Sequence, residues 1–252
     1  MAEEAILSAT LRHRLGSLHL DVDFHLHASW TILFGPSGAG KSTVLRAIAG
    51  FVRPEVGLIT AGLNSRVLLS TRDRVFVPPH LRPVRTAAQR ARLFPGMRVR
   101  ANVAYGMGWS SAPREHAAGI AEVLTEILAL FRLSSLGERR PENLSGGEQQ
   151  RVSMARAVAS AVTFDGPGRA LLLLDEPFSG LDAALKDDLA IDLRRFLERW
   201  KIPVLSVSHD VAESFLLEAE VIRIAEGQVV DQGPAERVLR EERERLLAGL
   251  QR

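Results

Sequence analysis

The stretch Gly35-Pro36-Ser37-Gly38-Ala39-Gly40-Lys41-Ser42-Thr43 contains the pattern G-x-x-x-x-G-K-[ST]. Glycines at these positions let successive backbone N–H groups turn inward around a phosphate, and the lysine supplies a charge for the β- and γ-oxygens. The hydroxyl group after the lysine can ligate Mg²⁺. Residues 35–43, the phosphate loop, are therefore predicted to bind nucleotide phosphates, with Ser42 as a metal ligand. The alternative is a glycine-rich turn with an incidental lysine.

The residues on either side of the phosphate loop predict a strand before it and a helix after it. Residues 30–34 are a short apolar run, and from Ser42 the apolar residues follow helical spacing as far as Ala49. Gly50 is a plausible C-terminal stop for that helix. Strand, loop and helix in this order are the setting that the motif requires, which weighs against the incidental turn.

The remaining sequence alternates predicted strands and helices. Residues 5–34 show the period of two that is typical of an antiparallel strand pair, and residues 53–88 mix strand fragments with proline-rich turns. We expect helices over 115–133, after residues 144–147, and over 183–200, 210–219 and 234–252, strands over 170–174 and 204–207, and a hairpin at 226–227. Strands that alternate with helices predict a parallel sheet between helical layers.

Composition excludes several classes of protein. The chain has 252 residues, of which 46% are apolar and 25% charged, so disordered, collagen-like and rod-like coiled-coil chains are excluded. The sequence contains no cysteine, which excludes disulfides, iron–sulfur clusters and thiolate zinc sites. Acidic and basic residues are interspersed and the net charge is only +2, which favours a mixed solvated surface over a nucleic-acid-binding one.

The N-terminus and the hydropathy pattern bear on location. Residues 1–4 lack the basic start and apolar stretch of a secretory signal, and no apolar run approaches the roughly 18 residues of a membrane span. We therefore expect a soluble, cytoplasmic chain.

Two carboxylates follow a second buried strand. The apolar run 171–174 leads directly into Asp175 and Glu176. Because ligands of parallel sheets bind at the carboxyl ends of the strands, we expect this pair at the same edge as the phosphate loop. Asp175 would then reach Mg²⁺, directly or through water, and Glu176 would polarise the attacking water. The alternative is a strand that simply stops in a polar turn.

Beyond these two sites, the sequence resembles the ATP-binding-cassette (ABC) ATPases. Leu144-Ser145-Gly146-Gly147-Glu148-Gln149-Gln150-Arg151 is similar to the signature sequence of that family. The other family motifs follow in order: the glutamine loop at Gln89, the D-loop at 179–182 and the switch histidine at His209. The ordered motifs span residues 35–209, so the resemblance covers nearly the whole chain.

The resemblance implies an α/β fold of the P-loop NTPase type. We expect a single ABC ATPase domain over 1–252, with a RecA-like core and an antiparallel β-subdomain at about 1–89 and 161–252. A helical subdomain would be inserted at about 90–160. The implied cofactors are ATP and Mg²⁺.

The resemblance also assigns roles to individual residues. The implied catalytic residues are Glu176, His209 and Gln89, and the implied metal ligands are Ser42, Gln89 and Asp175. The implied nucleotide contacts are Gly35, Pro36, Ser37, Gly38, Ala39, Gly40, Lys41, Ser42, Thr43, Ser145, Gly146, Gly147 and Asp182.

The signature sequence predicts a second anion site. Ser145, Gly146 and Gly147 open a helix, whose first N–H groups and dipole attract anions. In the ABC family this site closes on the nucleotide of a second copy in a head-to-tail dimer. A serine that only caps its helix is compatible with that role.

Residues 91–107 are similar to the corresponding segment of bacterial importers of inorganic anions and metal ions, most of all those for molybdate. The resemblance implies a separate membrane permease, a periplasmic or extracellular substrate-binding protein and a peripheral position on the inner face of the cell membrane. The alternatives are import of ferric iron, sulfate or phosphate, a soluble cassette ATPase of DNA repair or translation, and an ATP-gated module without turnover. The intact Glu176 and His209 argue against the last.

Three features depart from the molybdate-importer pattern. The chain ends at Arg252, so we expect it to lack the C-terminal regulatory β-domain of those ATPases. Residues 163–169 resemble a short insertion. Leu15 stands where the family usually offers adenine an aromatic ring, so we expect weak recognition of the base.

Overall fold

The structure is a computed structural model that describes residues 5–62, 65–107, 117–164 and 170–250. The chain divides into two compact units. The first unit consists of Met1–Arg82 and Pro203–Arg252, and the second consists of Pro83–Ile202.

The described segments contain both strands and helices, several of which follow one another in runs of one type instead of alternating. The strands are β1 (Leu7–Leu15), β2 (Leu18–Leu26), β3 (Trp30–Phe34), β4 (Val56–Ala61), β5 (Arg66–Ser70), β6 (Val75–Phe76), β7 (Val84–Ala87), β8 (Leu171–Asp175), β9 (Val204–Ser208), β10 (Glu220–Ala225) and β11 (Gln228–Pro234). The helices are α1 (Lys41–Ala49), α2 (Val99–Tyr105), α3 (Ala117–Leu130), α4 (Gly146–Val162), α5 (Ala183–Trp200), α6 (Val211–Leu216), α7 (Ala235–Val238) and α8 (Arg240–Leu250). Short 3-10 turns lie at Pro79–Leu81, Ser134–Leu136 and Pro141–Asn143.

The first unit contains a mixed sheet in the strand order β6-β5-β4-β1-β2-β11-β10-β3-β9. Strands β1 and β2 form the predicted antiparallel pair, from Leu7 opposite Leu26 to Leu15 opposite Leu18. Every second residue of β2 is buried, because one face of the pair packs on the core while the other faces solvent.

Parallel strands form the other part of this sheet. Strand β3 pairs in parallel with both β9 and β10, and all five of its residues are buried. This explains why residues 30–34 are a continuous apolar run instead of an alternating one. Strands β10 and β11 form the predicted hairpin.

A buried arginine holds the end of helix α1. The side chain of Arg82 is fully buried, and its guanidinium donates hydrogen bonds to the carbonyl oxygens of Ala47 at 2.9 Å and Ile48 at 2.7 Å. It also donates to Val77 O at 2.7 Å and Leu68 O at 3.3 Å. Burial lowers the pKa of Arg82 to about 10, so it remains cationic at neutral pH. Arg82 therefore ties the C-terminus of the phosphate-loop helix to the antiparallel strands.

The second unit is built on β7 and β8, which pair in parallel from Val84 opposite Leu171 to Ala87 opposite Leu174. Helix α4 packs against both strands and against α2 and α3, and α3 also contacts α5. The four leucines of β8 are buried, as predicted for a strand covered on both faces.

The structure corrects three details of the predicted elements. Helix α2 is absent from the prediction. The expected helix 234–252 is interrupted at Leu239, because this fully buried leucine has φ −111° and ψ 22°, outside helical geometry. Helix α6 ends at Leu216, short of residue 219, and Glu218 has φ 48°.

Two expectations fall partly outside the described segments. Of the insertion predicted at 163–169, residues 165–169 lie outside them, and α4 ends just before it at Val162. Residues 115–116 of the predicted helix 115–133 also lie outside, and the described part is α3. Among the described helices, none combines the length and the apolar character that crossing a bilayer requires.

Candidate functional site

The phosphate loop connects β3 to α1 in the first unit, and two of its positions require glycine. Gly35 has φ 155°, and a Cβ atom there would lie 2.0 Å from the carbonyl oxygen of Ile224 in β10. Gly40 has φ 96°, and a Cβ atom there would lie 2.8 Å from Cδ1 of Leu20. The close approach of β10 and of the β1–β2 hairpin therefore fixes the path of the loop.

Lys41 lies across the phosphate loop. Its side chain is buried, and Nζ donates to the carbonyl oxygens of Gly35 at 2.8 Å and Pro36 at 2.7 Å. Helix α1 begins at this lysine and has no acidic residue in its first turn. The positive end of the helix dipole and the ammonium group thus favour an anion at the loop.

The other loop positions differ in exposure. Pro36, Ser37, Gly38 and Ser42 are exposed, Thr43 is half-buried, and Ala39 is buried. The Ser42 hydroxyl, at the exposed start of α1, is therefore accessible to a ligand.

His209 directly follows β9, at the same edge of the sheet at which the phosphate loop follows β3. Strand β9 pairs with β3 so that Ser208 lies opposite Phe34, and each strand ends at that pair. Ser208 Oγ accepts a hydrogen bond from Asp210 N at 3.1 Å, and Asp210 caps α6 by accepting from Ala212 N at 2.8 Å. These bonds hold the backbone on the C-terminal side of His209, and the His209 side chain is exposed on the wall of a cavity of about 470 Å³.

The β1–β2 hairpin lies against the phosphate loop. Leu15 is half-buried at its turn, and Leu18 and Leu20 approach Gly40 closely. The aromatic residues that precede the loop, Phe24, Trp30 and Phe34, are all buried. Sequence analysis missed Leu18 and Leu20 as neighbours of the loop, because only the tertiary fold brings the hairpin there.

In the second unit, Gln89 and Glu176 are hydrogen-bonded. Nε2 of Gln89 donates to Oε2 of Glu176 at 2.7 Å. The pair forms because Gln89 follows β7 and Glu176 follows β8, and these neighbouring parallel strands end at one edge. Asp175, the last residue of β8, is half-buried beside them.

The backbone at Glu176 adopts an uncommon conformation. Its φ of 48° lies in the left-handed region, which costs about 1–2 kcal/mol for a residue with a side chain. Ser179 stabilises it, because its N–H and its Oγ both donate to Glu176 O, at 3.2 Å and 2.8 Å. Such outliers are concentrated at functional sites.

The signature sequence opens helix α4 through a capping box. Ser145 Oγ accepts from Glu148 N at 3.3 Å, and Oε2 of Glu148 accepts from Ser145 N at 2.7 Å. Hydrogen bonding from the Ser145 backbone, ahead of other causes, lowers the pKa of Glu148. The N–H groups of Gly146 and Gly147, at the first helical positions, have no acceptor within the helix.

The D-loop residues lie against the start of this helix. A Cβ atom at Gly147 would lie 3.3 Å from Cδ2 of Leu181 and 3.4 Å from Gly180 O. Asp182 is exposed and caps α5, with Oδ1 accepting from Leu185 N at 3.0 Å. The signature and D-loop motifs, distant in sequence, are thus neighbours.

A buried asparagine shapes the segment 91–107. Oδ1 of Asn102 accepts from Phe94 N at 2.8 Å, and Nδ2 donates to Phe94 O at 3.1 Å and Met97 O at 2.9 Å. In the loop held this way, the ring centroids of Phe94 and the exposed Tyr105 lie 4.5 Å apart. The Cζ atom of Arg156 lies 5.1 Å from the centroid of the Phe94 ring. Sequence analysis missed Asn102, since its partners become visible only when the loop is folded.

The predicted site residues therefore fall into two groups. The first unit holds residues 35–43 and His209, and the second holds Gln89, Ser145–Gly147, Asp175, Glu176 and Asp182. The side chains that the resemblance assigns to Mg²⁺ bear oxygen, the ligand that this ion prefers; Ser42 lies in the first unit, and Gln89 and Asp175 lie in the second. Within the described segments, no three His, Cys, Asp or Glu side chains form a group that could hold a metal ion.

Comparison with known proteins gives consistent results. The family model described as "ABC transporter" matches residues 20–179. The chain is 40% identical over 227 residues to the molybdenum import ATP-binding protein ModC of Mesorhizobium japonicum, covering 90% of this chain and 58% of that protein. It is 39% identical over 198 residues to the spermidine/putrescine import ATP-binding protein PotA of Lawsonia intracellularis, covering 78% and 49%. The chain thus spans less than two-thirds of these relatives.

A solved structure shares the fold. The cbiO1 protein of Clostridium perfringens, described as part of the ABC transporter complex cbiONQ, superposes with a TM-score of 0.77. It is 22% identical, and the match covers 98% of this chain and 96% of that one.

Proposed function

Because the chain belongs to the ABC transporter family, we propose that it is the ATP-hydrolysing subunit of an importer that carries molybdate or a similar inorganic anion. The observation that carries the proposal is the phosphate loop, in which Lys41 and the acid-free start of α1 form a binding site for polyphosphate.

The nucleotide is bound mainly by the phosphate loop of the first unit. Backbone N–H groups of the phosphate loop, other than at Pro36, and the ammonium of Lys41 bind the β- and γ-phosphates. Ser42, Asp175 and Gln89 would hold Mg²⁺, which when bound neutralises charge that develops on the transferred phosphoryl group. Leu15 and Leu18 on the hairpin offer apolar contact to the base.

Hydrolysis depends on Glu176. Its carboxylate orients a water molecule for in-line attack on the γ-phosphorus and accepts a proton from it, which yields ADP and inorganic phosphate. The hydrogen bond from Gln89 fixes Oε2 of this carboxylate. His209 donates a hydrogen bond to the γ-phosphate.

The signature requires a second copy of the chain. Ser145, Gly146 and Gly147 offer a hydroxyl and two backbone N–H groups to the nucleotide held by the other subunit, and Asp182 lies at the same interface. Head-to-tail pairing of two copies then gives two composite sites, and closing and opening of the dimer drive the permease.

Residues 91–107 form the contact with the permease, and a substrate-binding protein acts through that permease. The subunit then works at the inner face of the membrane. The similarity of this segment to that of molybdate importers favours molybdate over ferric iron, sulfate or phosphate. A soluble cassette ATPase of DNA repair or translation is the less favoured alternative.

The test uses the complex of the chain with a candidate permease and binding protein in proteoliposomes. We expect molybdate to stimulate ATP hydrolysis and to accumulate inside the vesicles, and a Lys41→Ala complex to do neither. Stimulation by sulfate, phosphate or spermidine in place of molybdate would contradict the substrate. Stimulation of the isolated chain by DNA or ribosomes would contradict the transport role.

A further inference from the structure

The two helix N-termini proposed to bind phosphate differ in charge. The first turn of α1 contains Lys41 and no acidic residue, whereas the first turn of α4 contains Glu148. The site that binds the subunit's own nucleotide is therefore cationic. The site offered to the other subunit's nucleotide carries its own carboxylate.

The capping box holds Glu148 beside the groups of the signature that are proposed to bind phosphate. Its Oε2 accepts the Ser145 N–H at 2.7 Å, so the carboxylate is fixed at the start of α4, in the same first turn as the N–H groups of Gly146 and Gly147. An anion that binds those groups must approach this carboxylate. The hydrogen bond, together with Arg151 and Arg139, favours the charged form, and the pKa of Glu148 is accordingly lowered.

We propose that Glu148 weakens the contact between the signature and the nucleotide of the partner copy, and so sets the ATP concentration at which the dimer closes. The inference rests on the proposed function, since it assumes the head-to-tail dimer. Its consequence is that closure of the signature on the nucleotide requires more ATP than it would without the Glu148 carboxylate. A weakened contact also favours reopening after hydrolysis.

The substitution Glu148→Gln removes the charge and preserves the geometry. Glutamine at the third helical position closes the same capping box, because its side-chain oxygen can accept the Ser145 N–H. Glu148→Ala removes both the charge and the cap. Glu122→Gln is the matched control, since Glu122 is an exposed glutamate in α3, in the same unit, outside the signature.

The experiment measures dimer formation against ATP concentration by analytical ultracentrifugation, in a Glu176→Gln background that prevents turnover. We expect Glu148→Gln and Glu148→Ala to lower the ATP midpoint about three- to tenfold, with ATP affinity of the monomer unchanged. This lowering of the ATP midpoint should become smaller when the salt concentration is raised from 50 to 500 mM, because the effect is electrostatic. The screening length falls from ~14 to ~4 Å over that range. Glu122→Gln should not move the midpoint.

Two results would overturn the inference in different ways. An ATP-dependent dimer with the same midpoint with and without Glu148→Gln would refute the role of Glu148 and leave the proposed function standing. The absence of any ATP-dependent dimer in the Glu176→Gln background would refute the dimer itself, and the inference with it.

Discussion

The side-chain amide of Gln89 donates a hydrogen bond to the carboxylate of Glu176 across 2.7 Å. Because the amide nitrogen is the donor, the carbonyl oxygen of Gln89 is the atom suited to a metal ion. Gln89 can therefore contact the proposed metal ion through its carbonyl oxygen and the proposed base, Glu176, through its amide nitrogen. The parallel pairing of β7 and β8 makes this connection, since each residue follows one of these strands.

Lys41→Ala should weaken ATP binding itself, by roughly 10- to 100-fold, because a charged hydrogen-bond donor contributes about 1.5–3 kcal/mol. Isothermal titration of the purified chain with ATP measures the effect. Lys186→Ala, in α5, is the control and should bind ATP like the wild type. Equal affinity of Lys41→Ala and wild type would show that the phosphate loop is not the binding site.

Ser145→Arg should abolish hydrolysis and leave ATP binding by the monomer nearly intact, because the bulky cation occupies the anion site offered to the other subunit. Phosphate release and ATP titration on the same preparation separate the two effects. Ser134→Arg introduces the same side chain at an exposed serine of the second unit and should keep turnover. Loss of binding by the Ser145→Arg monomer would mean that the signature acts within one subunit.

Leu15→Tyr should tighten ATP binding by about tenfold (~1.4 kcal/mol), less than full stacking on an aromatic ring, because leucine already covers part of the base. The wild type should discriminate poorly between ATP and GTP, since Phe24, Trp30 and Phe34 are buried. Competition binding with both nucleotides tests this, with Leu58→Tyr as the control on the exposed face of β4. An unchanged dissociation constant for Leu15→Tyr would place adenine elsewhere.

Arg82→Met should lower the free energy of unfolding by about 2–4 kcal/mol, because it leaves buried carbonyl oxygens at the end of α1 without their donor. Urea denaturation measures the loss. The exposed Arg72 gives the control Arg72→Met, which should stay within about 0.5 kcal/mol of wild type. A similarly small change for Arg82→Met would contradict the role given to that network.

Local patterns were sufficient to predict β3, the phosphate loop, α1 and the presence of β8 and β9, each of which ends one residue beyond its predicted end. A strand, a tight turn and a helix each leave their own period and stop residues in the sequence. The family membership is confirmed as well. The roles of individual site residues stay predictions.

Other features could not be predicted because they depend on distant parts of the chain. Arg82 looks like a surface residue until α1, β5 and the segment after β6 surround it. Asn102 acts on a loop that exists only after folding, and α2, which contains it, is too short to show a clear period. The interruption at Leu239 lies at a fully buried leucine among charged neighbours, and the helical pattern of the sequence does not mark it.

Phosphate release and dimer formation of Glu176→Gln with Mg²⁺ and ATP show whether Glu176 is the carboxylate that activates water in an ATP-driven dimer. Glutamine keeps the size of the side chain and the hydrogen-bonding potential toward Gln89, but it cannot take up the proton. We expect that ATP still binds, that steady-state hydrolysis is lost and that an ATP-bound dimer accumulates. Retention of most of the wild-type turnover by Glu176→Gln would contradict this role of Glu176.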